Sequence, residues 1–190
     1  MFYYIKRVRL NFLVYSENDV NKPIYSCEYD TAIGKNAWYI LFDEKRKEIG
    51  RIECFDNKFI YFGYKRDHKI TLFTNDIITE IKLIQISWFR PQWRLDFKGN
   101  QFEFVVNRNC KYSVFKNGKQ IAGIIQKQVE FLDSSRYVLE LKNIQDLVIL
   151  LCMFFNAKED DTNEQSTVTV DIGNPFCPKF NERWKNSITE

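Results

Sequence analysis

Leu147-Val148-Ile149-Leu150-Leu151-Cys152-Met153-Phe154-Phe155 is an unbroken apolar run near the end of a series of short, strand-like segments. It is too short to cross a bilayer, which takes about 20 apolar residues. It also has no polar face, so it cannot rest on the surface of a domain that meets water. A helix that is apolar all round must be enclosed, and the strand-rich sequence ahead of it is the only material for that. Asn143 stands where an N-cap is needed, and Asp146 puts negative charge in the first turn. No Gly or Pro interrupts residues 144–157, and the run ends in Lys158-Glu159-Asp160-Asp161. A strand is the competing reading of so short a run. The cap and the Leu, Met and Cys content favour a helix over about 143–157.

Ahead of it, alternating or compact apolar runs separated by turn residues predict strands near 8–15, 23–28, 38–43, 48–54, 59–63, 69–73 and 78–87. More follow near 92–97, 101–106, 112–115, 120–128 and 136–141. Trp93-Leu95-Phe97 and Phe102-Phe104-Val106 alternate cleanly, and Lys98-Gly99-Asn100 between them is a hairpin turn signal. Between Ile81/Leu83 and Ile84/Ile86/Trp88 the apolar phase slips by one residue, which predicts a bulge. Aromatic residues form 16% of the chain, which suits half-buried pleated faces. About twelve short antiparallel strands predict a mainly β fold, a barrel or sandwich rather than a parallel α/β sheet. Enclosing the helix selects the closed barrel, with no sheet edge left open.

An internal repeat strengthens this. Residues 38–52 align without gaps on 111–125: Tyr39 on Tyr112, Leu41 on Val114, Phe42 on Phe115, Gly50 on Gly123 and Ile52 on Ile125. Each copy is a strand, a charged or Gly-containing turn, and a return strand of the form apolar-Gly-x-apolar. A glycine inside a strand marks a bend or a close approach. The plain alternative is that any two hairpins look alike.

The paired Tyr-x-Val-Phe…Ile-x-Gly-x-Ile hairpins, the strand number and the late apolar helix resemble the tubby C-terminal-like superfamily, which includes the LURP-one-related proteins and the phospholipid scramblases. The resemblance covers about residues 1–157 and implies a twelve-stranded antiparallel barrel closed around its helix. It also implies a non-enzymatic domain that recognises anionic lipid headgroups. The phosphoinositide-contacting basic residues of tubby itself have no counterpart here. Neither do the calcium-linked segment and palmitoylated cysteines of the scramblases, so those activities do not carry over.

At 190 residues the chain is read as one domain over 1–157. A polar linker from 158 to about 165 follows, then an extension to 190 that Pro175, Phe176, Pro178 and Trp184 are expected to pack on the barrel. Residues 1–156 carry 24 basic against 18 acidic side chains, too mild an excess to indicate nucleic acid. The five cysteines are scattered, without metal or redox spacing, as expected of reduced thiols in a cytoplasmic protein, peripheral at a membrane if lipids are the ligand. No secretion signal, transmembrane segment, phosphate loop or nucleophile elbow is present. No cofactor or metal is expected.

Candidate binding residues fall in two places. Lys65, Arg66 and Lys69 flank His68, the only histidine, in a polar stretch read as a solvated hairpin turn that can meet phosphate headgroups; Lys45-Arg46-Lys47 is a second basic turn that would sharpen the site if the two met. Trp88, Arg90, Trp93 and Arg94 form an aromatic–basic segment at a strand reversal. If exposed, it suits a membrane interface or a protein hot spot. If the rings point inward, they plug one end of the barrel. Glu103 is placed by alternation on the outer face. The alternative function is a protein-interaction module with no lipid role. An enzyme would need a polar cleft where several ionisable groups converge.

Overall fold

The computed structural model describes residues 1–30, 38–60, 63–74, 77–87, 92–108, 111–130 and 134–162. Twelve antiparallel strands run through them: β1 (Phe2–Val8), β2 (Asn11–Ser16), β3 (Tyr25–Asp30), β4 (Trp38–Asp43), β5 (Glu48–Ile60), β6 (Gly63–Thr74), β7 (Ile77–Ser87), β8 (Gln92–Phe97), β9 (Asn100–Asn107), β10 (Lys111–Lys116), β11 (Lys119–Glu130) and β12 (Ser134–Leu141). Each pairs with its chain neighbours, and β1 pairs with β12, Ile5 opposite Tyr137, to close a barrel. A short 3-10 turn, Ile144–Asp146, leads into α1 (Leu147–Thr162). Asn143 caps it as expected, its side-chain oxygen accepting from the Gln145 N–H at 3.0 Å.

The expected sheath is there. Leu150, Leu151, Cys152, Met153, Phe154 and Phe155 are all fully buried, surrounded by inward residues of the strands. Phe154 sits edge-on to Phe12, Tyr112 and Tyr137 at 6.0, 5.7 and 5.0 Å between ring centres, and Phe155 lies 4.8 Å from Phe12 and 6.4 Å from Tyr39. The two tyrosines of the repeat, Tyr39 and Tyr112, therefore grip the helix from opposite walls of the ring.

The repeat is only half structural. Both outgoing strands carry a register shift at the aligned position, Leu41/Phe42 and Val114/Phe115. The return strands differ by one residue: Leu41 faces Gly50, whereas Val114 faces Ala122. A one-residue slip turns every side chain to the other face. Gly50 accordingly lies on the inside, where an added Cβ would sit 3.5 Å from Cys152 Sγ, and Gly123, beside the inward Ala122, lies on the outside. Among these turns, Lys98-Gly99 and Asn117-Gly118 have positive φ at both residues, the primed geometry that hairpins favour.

Several expectations are corrected. The first hairpin turns at Arg9 without glycine or asparagine, so β1 carries no local turn signal and a strand beginning at residue 8 is in fact two. β5 runs from Glu48 through Ile60 and Gly63 already opens β6, so 59–63 is no strand of its own, and the stretch around His68 is no solvated turn but the middle of β6. His68 is 0% exposed, facing the interior opposite Leu83. In β7 the inward phase runs unbroken through Ile81, Leu83 and Gln85, leaving Ile84 and Ile86 exposed, so the apolar slip is no guide to facing; the expected irregularity within 81–88 is present, between Gln85 and Ser87. Lys158 belongs to α1 rather than to a linker, buried with its ammonium 4.9 Å from the Tyr112 ring centre and 5.3 Å from that of Tyr137. The extension expected to pack on the barrel, 163–190, lies outside the described residues.

Burial governs the thiols of Cys27 and Cys152. It pushes Cys152 up to about 12 and Cys27 well above its ordinary value, the latter with smaller contributions from Cys152 and Glu28. A folded pKa above the unfolded one stabilises fully below the unfolded value and is lost as pH rises through the folded one. Urea unfolding is expected to show falling stability from pH 9.0 toward 12, with a shallower fall in Cys152→Ala. Phe154→Ala is expected to cost ~3–5 kcal/mol at neutral pH, read by the same titration.

Candidate functional site

Strands alternate in direction, so the connections fall at two ends of the barrel. The turns at residues 17–24, 44–47, 98–99, 117–118 and 142–143 share the end where α1 enters; the turn at 9–10 and the strand ends Asp30, Ile60, Ser87, Asn107 and Glu130 lie at the far end. Lys45–Lys47 therefore stand at the entry end and the paired strand ends Ile60 and Gly63 at the other, so Lys65 and Arg66, close to Gly63 on β6, cannot join them in one basic site. Lys69 lies on the outer wall, its ammonium 3.1 Å from Glu53 and 3.2 Å from Glu80, which together raise its pKa. Arg94 pairs at 2.9 Å with Glu103, which is outward as expected. Trp93 is 1% exposed, stacked edge-on to Phe104 at 6.1 Å, so as a surface contact it is corrected: its ring packs the interior, as the inward reading held. Trp88 and Arg90 and the side chains of Lys65 and Arg66 lie outside the described residues.

The entry end holds a different constellation. On one side the start of the helix is clamped to β10, with Lys116 Nζ 2.8 Å from the Asp146 carboxylate. Neighbouring turns are stitched by Asn117 Nδ2 donating to Asn100 Oδ1 at 2.9 Å. Across the mouth, a cleft of about 450 Å³ opens between α1 and the rims of β3–β6 and β8. Its floor is Ile49, Leu72, Phe97, Val148 and Ile149, and its rim carries Tyr25, Asp43, Lys47, Lys98 and Gln145. A shelf of about 370 Å³, lined by Lys47, Glu48, Phe73, Ile77 and Ile78, adjoins it and shares Lys47 and Phe73 with it.

Lys47 and Lys98 make no ion pair among the described residues, whereas their neighbours Lys22, Arg46, Arg51 and Lys116 all do. Asp43 is the carboxylate in the cleft, and its Oδ1 accepts the backbone N–H of Lys45 and of Lys47, both at 2.9 Å, which fixes the turn that presents Lys47. Burial, then Asp43 and Glu44, raise the Tyr25 pKa, so its hydroxyl stays a neutral donor. Two unpaired ammoniums over an apolar floor can hold an anion attached to an apolar body. The lining has no histidine or cysteine, and no group of His, Cys, Asp and Glu among the described residues could hold a metal ion. Sequence reading had Lys47 only within a candidate second basic turn and Lys98 only as a turn residue. Correct strand parity was the missing signal.

Compared with protein-family models, curated proteins and solved structures, the chain gives no match. The clamp generates one expectation: Asp146→Asn leaves the half-buried Lys116 ammonium without its carboxylate and costs ~1–3 kcal/mol in urea unfolding, without changing the strand content seen by circular dichroism.

Proposed function

We propose that the chain is a non-enzymatic binding domain, of tubby-like kinship, that docks its helix-entry end on membranes bearing anionic lipid headgroups. One observation carries the reading: that end unites exposed aliphatic side chains with unpaired cations. Ile77 and Ile78 are each 65% exposed and Ile144 57%. Beside them on the same end, Lys45, Lys47, Lys98, Lys119 and Lys142 make no ion pair among the described residues. An interfacial surface needs both parts. Apolar side chains enter the boundary between headgroups and acyl chains. Each lysine near an anionic leaflet adds about 1 kcal/mol of attraction that salt weakens. Lys69 and Arg94, already neutralised by carboxylates, contribute little to such a surface. The attachment we propose is peripheral, on the cytoplasmic side; no helix among the described residues is long and apolar enough to cross a membrane. The barrel wrapped around a buried helix supports the tubby-like kinship within the same proposal.

Sedimentation with vesicles tests it. The protein is expected to pellet with phosphatidylcholine vesicles containing phosphatidylglycerol, to be released by salt, and to stay in solution with phosphatidylcholine alone. Lys47→Gln with Lys98→Gln is expected to weaken binding several-fold. Equal partition onto both vesicle types at low salt eliminates headgroup recognition. No partition onto either removes the membrane and leaves a protein-interaction module as the reading.

A further inference from the structure

The mouth cleft and the outer shelf adjoin at Lys47 and Phe73, which line both. The chemistry changes from one to the other. At the mouth stand the Lys47 and Lys98 ammoniums with the Tyr25 hydroxyl and the Gln145 amide. Past Phe73 the walls become Ile77 and Ile78, placed beside Phe73 by the β6–β7 register in which Phe73 faces Ile78. These are the most exposed large apolar side chains of the described residues. Aliphatic surface left open in a concavity is stabilised when a guest covers it, at roughly 25 cal/mol per Å².

We propose that the cleft and the shelf act together as one groove and bind one single-chain amphiphile with a monoanionic head, a long-chain carboxylate of the fatty-acid class. The head lies between Lys47 and Lys98, and the chain passes Phe73 and runs along Ile77 and Ile78. This rests on the mouth being an anion site, as proposed above, but assigns it a monomer taken into the groove rather than a headgroup met at a surface. Charge complementarity fixes the direction of the guest, since the shelf offers Glu48 beside its apolar wall, a carboxylate already paired with Arg51, and no unpaired cation other than Lys47. Asp43, held at the mouth by the N–H groups of Lys45 and Lys47, disfavours a second negative charge on the head. A carboxylate is therefore preferred over a phosphomonoester. The volumes, about 450 and 370 Å³, fall among those of small-molecule sites.

Isothermal titration of the full chain with laurate below its micellar concentration tests this, with dodecanol and acetate as comparisons. Laurate is expected to bind one to one, with dodecanol weaker by about tenfold or more and acetate undetected. Lys47→Gln with Lys98→Gln is expected to weaken laurate about tenfold and leave dodecanol unchanged, whereas Ile78→Asp weakens both. Laurate bound no better than acetate, or equally well by the lysine variant, overturns the proposal. If laurate fails while the lysine-dependent, salt-sensitive vesicle binding persists, the groove assignment alone falls. If both fail, the anion site falls with it.

Discussion

Everything in this protein depends on keeping one helix dry. From Leu150 to Phe155 no side chain reaches water, and no face of α1 over that stretch is polar. Such a helix has little stability of its own, and its packing partners must surround it completely. The strands meet that demand by closing on themselves through β1 and β12, and the aromatic rings of Phe12, Tyr39, Tyr112 and Tyr137 fill the space against Phe154 and Phe155. Glycine at position 50 belongs to the same requirement. On the inward face of β5 a Cβ there would already touch Leu72 at 3.4 Å and Cys152 at 3.5 Å, so a bulky residue would drive against both.

The enclosing barrel was legible because it follows from a shortage: an all-apolar segment, no membrane-length span, and only strands to cover it. The N-cap was legible because capping is a local, side-chain-to-backbone interaction. What misled was the turn chemistry. The Arg9 hairpin has no residue that marks a turn, and the polar runs in β5 and β6 imitate one. One strand was missed and one was invented, so the count stayed at twelve while the direction of every strand between the two errors was inverted. That inversion is what left Lys45–Lys47 open as a second contributor to a site at Lys65–Lys69. The groove was illegible for the same reason: Lys47 and Lys98 meet only when β4 and β8 are known to end on the same side.

Alternation also has limits as a guide to burial. In β7 a polar Gln85 faces inward and Ile84 and Ile86 face outward, the reverse of what side-chain polarity indicates. The inside at this level accommodates polar groups: His68 and Gln85 from the wall, Asn156 and Lys158 from the helix are all buried. Neither amide atom of Asn156 has a hydrogen-bond partner among the described residues, at a cost of order 1–3 kcal/mol. The helix is thus seated in oil along its first turns and among polar groups along its last. The entry end, where the apolar part begins, is where the groove opens.

Closure by β1 against β12 has a bearing on how the chain comes to be folded at all. The first strand to leave the ribosome must wait for the twelfth, and the rod that fills the cylinder is made after both. Until then each hairpin displays an inner face with nothing to cover it, and contacts so distant along the chain form slowly. Biosynthesis therefore passes through a long interval in which the nascent polypeptide is greasy and unsealed, the condition in which chaperones find their clients.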